Sequence, residues 1–232
     1  MMNEHTVKAF DEDIGQLRGL LAQMGGLAEE AIDNAMDALK RHDLDAAAEV
    51  VAGDKRIDAL EAEVERLAVR LIALRAPMAD DLREVVAALK IASVLERIGD
   101  YAKNIAKRVK AIDGKNVIEP LSLLPAMATM ANDMVRDVLN AFAARDADGA
   151  RRVCEQDRAV DDFYNSIFRT LVTFMMENPA SISQAAHMLF IAKNLERVGD
   201  HATNVAEMVY YTATGEHLGD RDQGDVIDPL KR

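Results

Sequence analysis

Two stretches of this chain carry the same arrangement of oxygen-bearing side chains. "LERIGDYAKNIA" holds Glu96, Asp100 and Asn104, and "LERVGDHATNVA" holds Glu196, Asp200 and Asn204. The spacing i, i+4, i+8 stacks each trio along one helix face, because a helix advances by roughly 100° per residue. Two carboxylates one turn apart repel by about 0.2–0.5 kcal/mol on an exposed helix. The glycine beside each acidic pair, Gly99 or Gly199, costs about 1 kcal/mol more relative to alanine. Both costs written twice call for a compensating interaction. A cation supplies one, and carboxylate and amide oxygens suit Mg²⁺, Mn²⁺, Fe or Zn²⁺. One helix offers too few ligands, but the preceding helix of each half carries its own acidic pair, Asp54-x-x-x-Asp58 and Asp157-x-x-x-Asp161. Glu30 and Asp133, at matching places on the first helix of each half, add further oxygens.

Other readings of the same residues stay open at this level. An acidic pair on a helix is commonly a solvated face, and Arg97 and Arg197 neutralise the adjacent glutamates. The acidic rows also suit a metal-free face for a protein partner, or a pair of metal ions that activate water for hydrolysis. The glycines fit close helix packing as well as ligand access.

Composition narrows the class. Half of the 232 residues are hydrophobic, only 4% are aromatic and none is Trp, which is the palette of helix packed on helix. A net charge of -12 repels nucleic acid and anionic lipid. The lone Cys154 forms no internal disulfide, and "MMNEHTVKAF" has neither the basic nor the apolar region of a secretory leader. No stretch approaches the ~18 apolar residues of a membrane span. These features lead to the expectation of a cytoplasmic protein. Catalytic signatures are thin: there is no HExxH, no Glu three residues before any His, no Gly-rich phosphate loop and no CxxC.

The elements that position the acidic rows follow from apolar spacing by three and four. Val7, Phe10, Ile14, Leu17, Leu21 and Met24 begin a first helix that continues from Leu27 to Leu39, with Gly25-Gly26 as a place to bend. Ile57, Leu60, Val64, Leu67, Leu71 and Leu74 mark a second, closed at Pro77. Ile91, Leu95, Ile98, Ala102, Ile105, Val109 and Ile112 mark a third, closed at Asp113-Gly114. The stripe at Leu95, Ile98, Ala102 and Ile105 lies nearly opposite Glu96, Asp100 and Asn104, so the carboxylates are expected to turn outward. Past the linker "DGKNVIEPLSLLP" the pattern restarts. Met127, Met130, Met134, Val138 and Phe142 mark a fourth helix, and Val160, Tyr164, Ile167, Leu171 and Phe174 a fifth that breaks at Pro179. The sixth carries Ile191, Leu195, Val198, Ala202, Val205 and Val209. "RHDLDAAAEVVAGDKRID" aligns with "ARDADGARRVCEQDRAVD" at an offset of 103, and "LKIASVLERIGDYAKNIA" matches "LFIAKNLERVGDHATNVA" at 11 of 18 positions. The chain therefore reads as all-α: two tandem antiparallel three-helix bundles, residues 1–113 and 121–212, from an internal duplication, followed by a mobile tail at 213–232.

Duplicated three-helix bundles ending in an "LERIGD"-type phrase, with Asp-x-x-x-Asp on the preceding helix, resemble the PhoU family of phosphate-uptake regulators. The opening "HTVKAFDEDIGQLRGLLAQMGGLAEEA" is similar to that family as well, and the resemblance runs from residue 4 to 212. It implies a cytoplasmic all-helical accessory protein, a homodimer, holding multinuclear metal clusters of iron, zinc, magnesium or manganese. The first site would use Asp54, Asp58, Glu96 and Asp100 with Asn104, and the second Asp157, Asp161, Glu196 and Asp200 with Asn204. It further implies a negative regulator of phosphate uptake and of the phosphate-starvation regulon. Such a protein links the ATPase subunit of the phosphate ABC importer to a sensor histidine kinase, meets the membrane only through these partners, and has no catalytic activity.

Overall fold

The computed structural model describes residues 2–112, 114 and 118–218. The side chain of Val7, the expected stop at Asp113 and the tail from residue 219 lie outside the described residues. Regular structure among the described residues is helical throughout: α1 (Met2–Arg41), α2 (Leu44–Gly53), α3 (Lys55–Arg75), α4 (Asp80–Ala106), α5 (Leu124–Ala144), α6 (Ala147–Glu177) and α7 (Ile182–Thr214). Short 3₁₀ turns at Val109–Ala111, Glu119–Leu123 and Pro179–Ser181 complete the connections.

The six expected helices become seven segments because the second is interrupted at Asp54. Its dihedrals stay helical (φ -50, ψ -37), and its carbonyl accepts from the Ile57 and Asp58 N–H groups at 2.9 and 3.2 Å. Gly53 precedes the break; the second half has Gln156 at that place, and α6 runs unbroken.

The first turn of each half repeats in backbone detail. His42 and Arg145 both take the left-handed conformation (φ 51 and 52). The following Asp43 and Asp146 donate their N–H groups to Ala38 and Ala141, each at 2.9 Å, tying off carbonyls that the ended helix leaves free. The Asp43 carboxylate then caps α2 by accepting from the Asp45 and Ala46 N–H groups. The second turns break at Pro77 and Pro179: Ala76 before the first is left-handed (φ 46), its N–H donating to the Ile72 carbonyl, and Asn178 before the second leaves the helical region (φ -130, ψ 76), the bias that proline imposes on its predecessor.

α1 packs with α3 and α4, and α5 with α6 and α7, so that short turns make sequence neighbours antiparallel. The halves meet through two further contacts, α4 on α7 and α1 on α5. Each of these places an element against its own repeat. On the α4–α7 seam Tyr101 and His201, equivalent residues of the two halves, stand edge to face with ring centroids 5.2 Å apart. One apolar cluster therefore runs through both halves. It includes Leu17, Leu21 and Met24 of α1, Ile57 and Leu71 of α3, Leu95, Ile98 and Ile105 of α4, and Val160, Leu195 and Val198 of the second half. α1 passes unbroken through Gly25-Gly26, and Leu139 of α5 packs onto Gly25. Leu74 departs from its stripe: in the last turn of α3 it extends past its neighbours and is 73% exposed.

A buried charge also spans the halves. Glu84 of α4 is held by Arg18 of α1, whose Nη2 lies 2.6 Å away, and by Arg145 from the α5–α6 turn. Charge-assisted bonds of this kind satisfy a carboxylate that water does not reach.

Candidate functional site

The acidic pairs of each half come together where the second long helix crosses the third, and the glycines make the crossing close. A Cβ on Gly99 would sit 2.7 Å from Ile57 Cδ1 and 3.6 Å from Asp54 Oδ1. A Cβ on Gly199 would sit 3.2 Å from Asp157 Oδ1 and 3.4 Å from Val160 Cγ1. The close-packing reading of these glycines holds: the missing side chain lets α3 or α6 approach, with a carboxylate at the crossing.

That geometry corrects the outward orientation expected for the carboxylates at the crossing, while Asn104 and Asn204 turn outward as expected. Asp54 and Asp157 are buried at 8% and 6% exposure, inside the seam rather than on its rim. Glu96, Asp100, Asp161, Glu196 and Asp200 are half-buried, while Asp58, Asn104 and Asn204 are exposed. Each helix of a three-helix bundle is covered on its flanks as well as its core face, and the flank of α4 lies under α3. A cleft of about 300 Å³ between α1 and α2 leads to this seam, lined by Glu30, Asp37, Glu49, Asp54 and Gly99 among others. Glu30 thus faces the seam's entrance. Asp133, its counterpart, is taken up by Arg136 at 3.0 Å, which also binds Glu29.

Electrostatics show the clustering. The Glu96 carboxyl is pushed above the usual range, first by burial and then by the negative charges of Asp100, Glu61, Asp58 and Asp54. Glu196 is raised by burial, and Asp200 and Asp161 add to it while its bond to Lys193 opposes. Glu61 was not singled out from the sequence, although Asp54, Asp58 and Glu61 follow the i, i+4, i+7 spacing of one face.

A second residue missed from the sequence matters more. Lys103 Nζ lies 2.5 Å from Asp54 Oδ2 and 2.7 Å from Asp100 Oδ1, and these two bonds raise its pKa. Its place three residues after Asp100 was the available signal. In the second half Lys193 binds Glu196 Oε1 at 2.5 Å from one turn earlier on α7, and Glu196 Oε2 is buried without a hydrogen-bond donor. Between the two seams, burial holds the His201 imidazole below its ordinary pKa, with the Arg97 charge acting in the same direction. Among the described residues no three His, Cys, Asp or Glu side chains stand as a ready-made metal ligand set.

The fold and its twin seams define a duplicated all-helical protein with an acidic helix crossing in each half, built on one continuous apolar core. The PhoU domain family matches residues 21–109 and 124–209, the two halves described above, and this chain belongs to that family. It is 56% identical over 220 residues to the phosphate-specific transport system accessory protein PhoU homolog of Zymomonas mobilis, covering 95% of this chain and 93% of that protein. With the Caulobacter vibrioides homolog of the same description it shares 46% over 228 residues, 97% of this chain and 99% of the other. The crystal structure of PhoU from Pseudomonas aeruginosa matches with a TM-score of 0.82 at 35% identity, over 89% of this chain and all of that one, 100%. The phosphate transport system regulatory protein PhoU from Streptococcus pneumoniae matches with a TM-score of 0.84 at 29% identity, over 90% and 99% of the two chains. The family is one of accessory and regulatory proteins, not of enzymes. No helix among the described residues is long and apolar enough to cross a membrane.

Proposed function

We propose that this protein restrains phosphate uptake and the phosphate-starvation regulon as a non-enzymatic adaptor between the ATPase subunit of a phosphate ABC importer and a sensor histidine kinase. It works in the cytoplasm as a homodimer and reaches the membrane only through these partners. The observation that carries the reading is the match to phosphate-specific transport accessory proteins, which spans both halves and nearly the full chain.

The acidic seams supply the metal-binding part of the proposal. Asp54, Asp58, Glu96 and Asp100 in the first half, and Asp157, Asp161, Glu196 and Asp200 in the second, are oxygen donors of the kind that hard and borderline cations take. The exposed Asn104 and Asn204 offer further oxygens at the ends of the rows. A bound Mg²⁺, Mn²⁺, Zn²⁺ or iron ion would neutralise carboxylates that now raise one another's pKa, and so fix the crossing of the second and third helices. Support for the adaptor role comes from the duplicated helical scaffold.

The test is a clean deletion assayed with a reporter for phosphate-starvation genes in phosphate-rich medium. The reporter is expected to stay on, and restoring the chain should switch it off. Unchanged output in the deletion overturns the regulatory assignment, and failure to recover the importer ATPase or the kinase in a pull-down from native extract overturns the adaptor role.

A further inference from the structure

We propose that Lys103 is a built-in cation that takes the place of a metal ion in the first half, so that metal binding falls to the second half alone. The proposal rests on the metal-binding reading above for the second half and withdraws from it Asp54, Asp58, Glu96 and Asp100 of the first half, although the sequence pattern makes the two sites look equal.

The geometry is specific to one half. Lys103 Nζ bridges Asp54 of the helix break and Asp100 of α4, and the Asp54 side chain is only 7% exposed. The oxygens it holds are among those a divalent ion would coordinate at about 2.0–2.6 Å. An incoming ion must therefore expel an ammonium already neutralising two carboxylates, one of them buried. The interruption after Gly53 belongs to the same arrangement, since it falls at the residue whose carboxylate turns in to meet Lys103.

The second half has no counterpart to this bridge at the matching position. There the residue is Thr203, fully buried, and its hydroxyl donates to the Asp200 carbonyl oxygen at 2.7 Å. It brings no charge into the seam. Lys193 sits in a different register, three residues before Glu196 where the first half has Ser93. It ties one oxygen of one glutamate along its own helix, and its ammonium lies 5.3 Å from the Tyr164 ring. The other oxygen, Glu196 Oε2, is buried without a donor. A buried carboxylate oxygen without a partner is the kind of acceptor a cation satisfies.

The experiment is equilibrium dialysis of the full chain against Mn²⁺, Zn²⁺ or Fe²⁺, with metal per chain read by mass spectrometry. Wild-type metal should be lost in Asp200→Asn and kept in Asp100→Asn. Lys103→Thr, which copies the second half, should take up roughly twice the wild-type metal, the gain vanishing when Asp54→Asn is added, because the freed carboxylates now bind an ion. Lys103→Arg, which keeps the charge, should bind as wild type does. In chelator, Lys103→Thr should melt below wild type and recover on adding Mn²⁺. Equal loss in Asp100→Asn and Asp200→Asn overturns the proposal and leaves the metal reading standing, as does an absence of gain in a folded Lys103→Thr. Metal in no variant overturns both. If Lys103→Thr does not fold, the Asp100→Asn and Asp200→Asn pair decides by itself.

Discussion

Replacing Glu84 by Gln tests whether the two halves form one energetic unit. The Glu84 side chain is 7% exposed and receives Arg18 from the first half and Arg145 from the start of the second. Removing one member of a buried ion pair costs about 3–5 kcal/mol when the remaining charge is stranded away from water. Here the charges left behind are guanidinium groups that keep 33% and 53% of their exposure, so much of that penalty is relieved by solvent. What remains is the loss of charge-assisted hydrogen bonds, each worth about 1.5–3 kcal/mol, with glutamine retaining the shape and a weaker acceptor. The expected destabilisation is about 2–3 kcal/mol. Urea unfolding followed by circular dichroism at fixed protein concentration measures it, and one transition is expected because the core is continuous. Combining Glu84→Gln with Arg145→Met should give a coupling of about 1 kcal/mol or more, since the partners touch. A loss below about 0.5 kcal/mol, or additivity of the two changes, would refute the reasoning.

Three further outcomes follow from the same structure. Ile98→Asp and Val198→Asp together place unpaired charges at positions 1% and 0% exposed; the double variant should lose its helical circular dichroism at room temperature, and retained helicity would contradict the assigned core. The Glu96 carboxyl is raised above 4.5 in the folded chain, so its contribution to stability is full below that pH and is lost as pH rises through the folded value. Glu96→Gln, compared in chelator, should therefore gain stability relative to wild type at neutral pH and lose that advantage near pH 4, as denaturation across the pH range will show. His201 is lowered from 6.5, so the fold loses stability as pH falls below that value and the imidazole must charge; an NMR titration of His201 should give a midpoint below 6.5 that moves up in Arg97→Gln.

Most helices were legible because a 3.6-residue apolar repeat runs through them, and the second turns because Pro77 and Pro179 bound them; α2 carries no such stripe, and the third helix ends at Ala106 where Val109 and Ile112 were expected to continue it. The duplication was legible as two offset alignments, which the matching left-handed turns at His42 and Arg145 bear out in backbone geometry. Orientation of the acidic rows was not. A wheel drawn for one helix sorts residues into a core face and its opposite, whereas Glu96 and Asp100 lie on a flank that a neighbouring helix covers. The inward turn of Asp54 was hinted at by its place three residues before the buried Ile57, on the stripe itself. Lys103 escaped because a search for oxygen donors passes over the lysine between them.

Tyr101 facing His201 carries an evolutionary consequence. Identical subunits that meet across a two-fold axis bring each residue near the axis against its own copy. Here α1 lies on α5, α4 on α7 and Tyr101 on His201, each an element or residue against its own duplicate within one chain. An ancestor of half this length would have paired with a second molecule through the same faces, with gene fusion turning that intermolecular contact into an internal one. Fusion also freed the copies to diverge, and a lysine on one side and a threonine on the other is a difference that no symmetric dimer of identical chains could have kept.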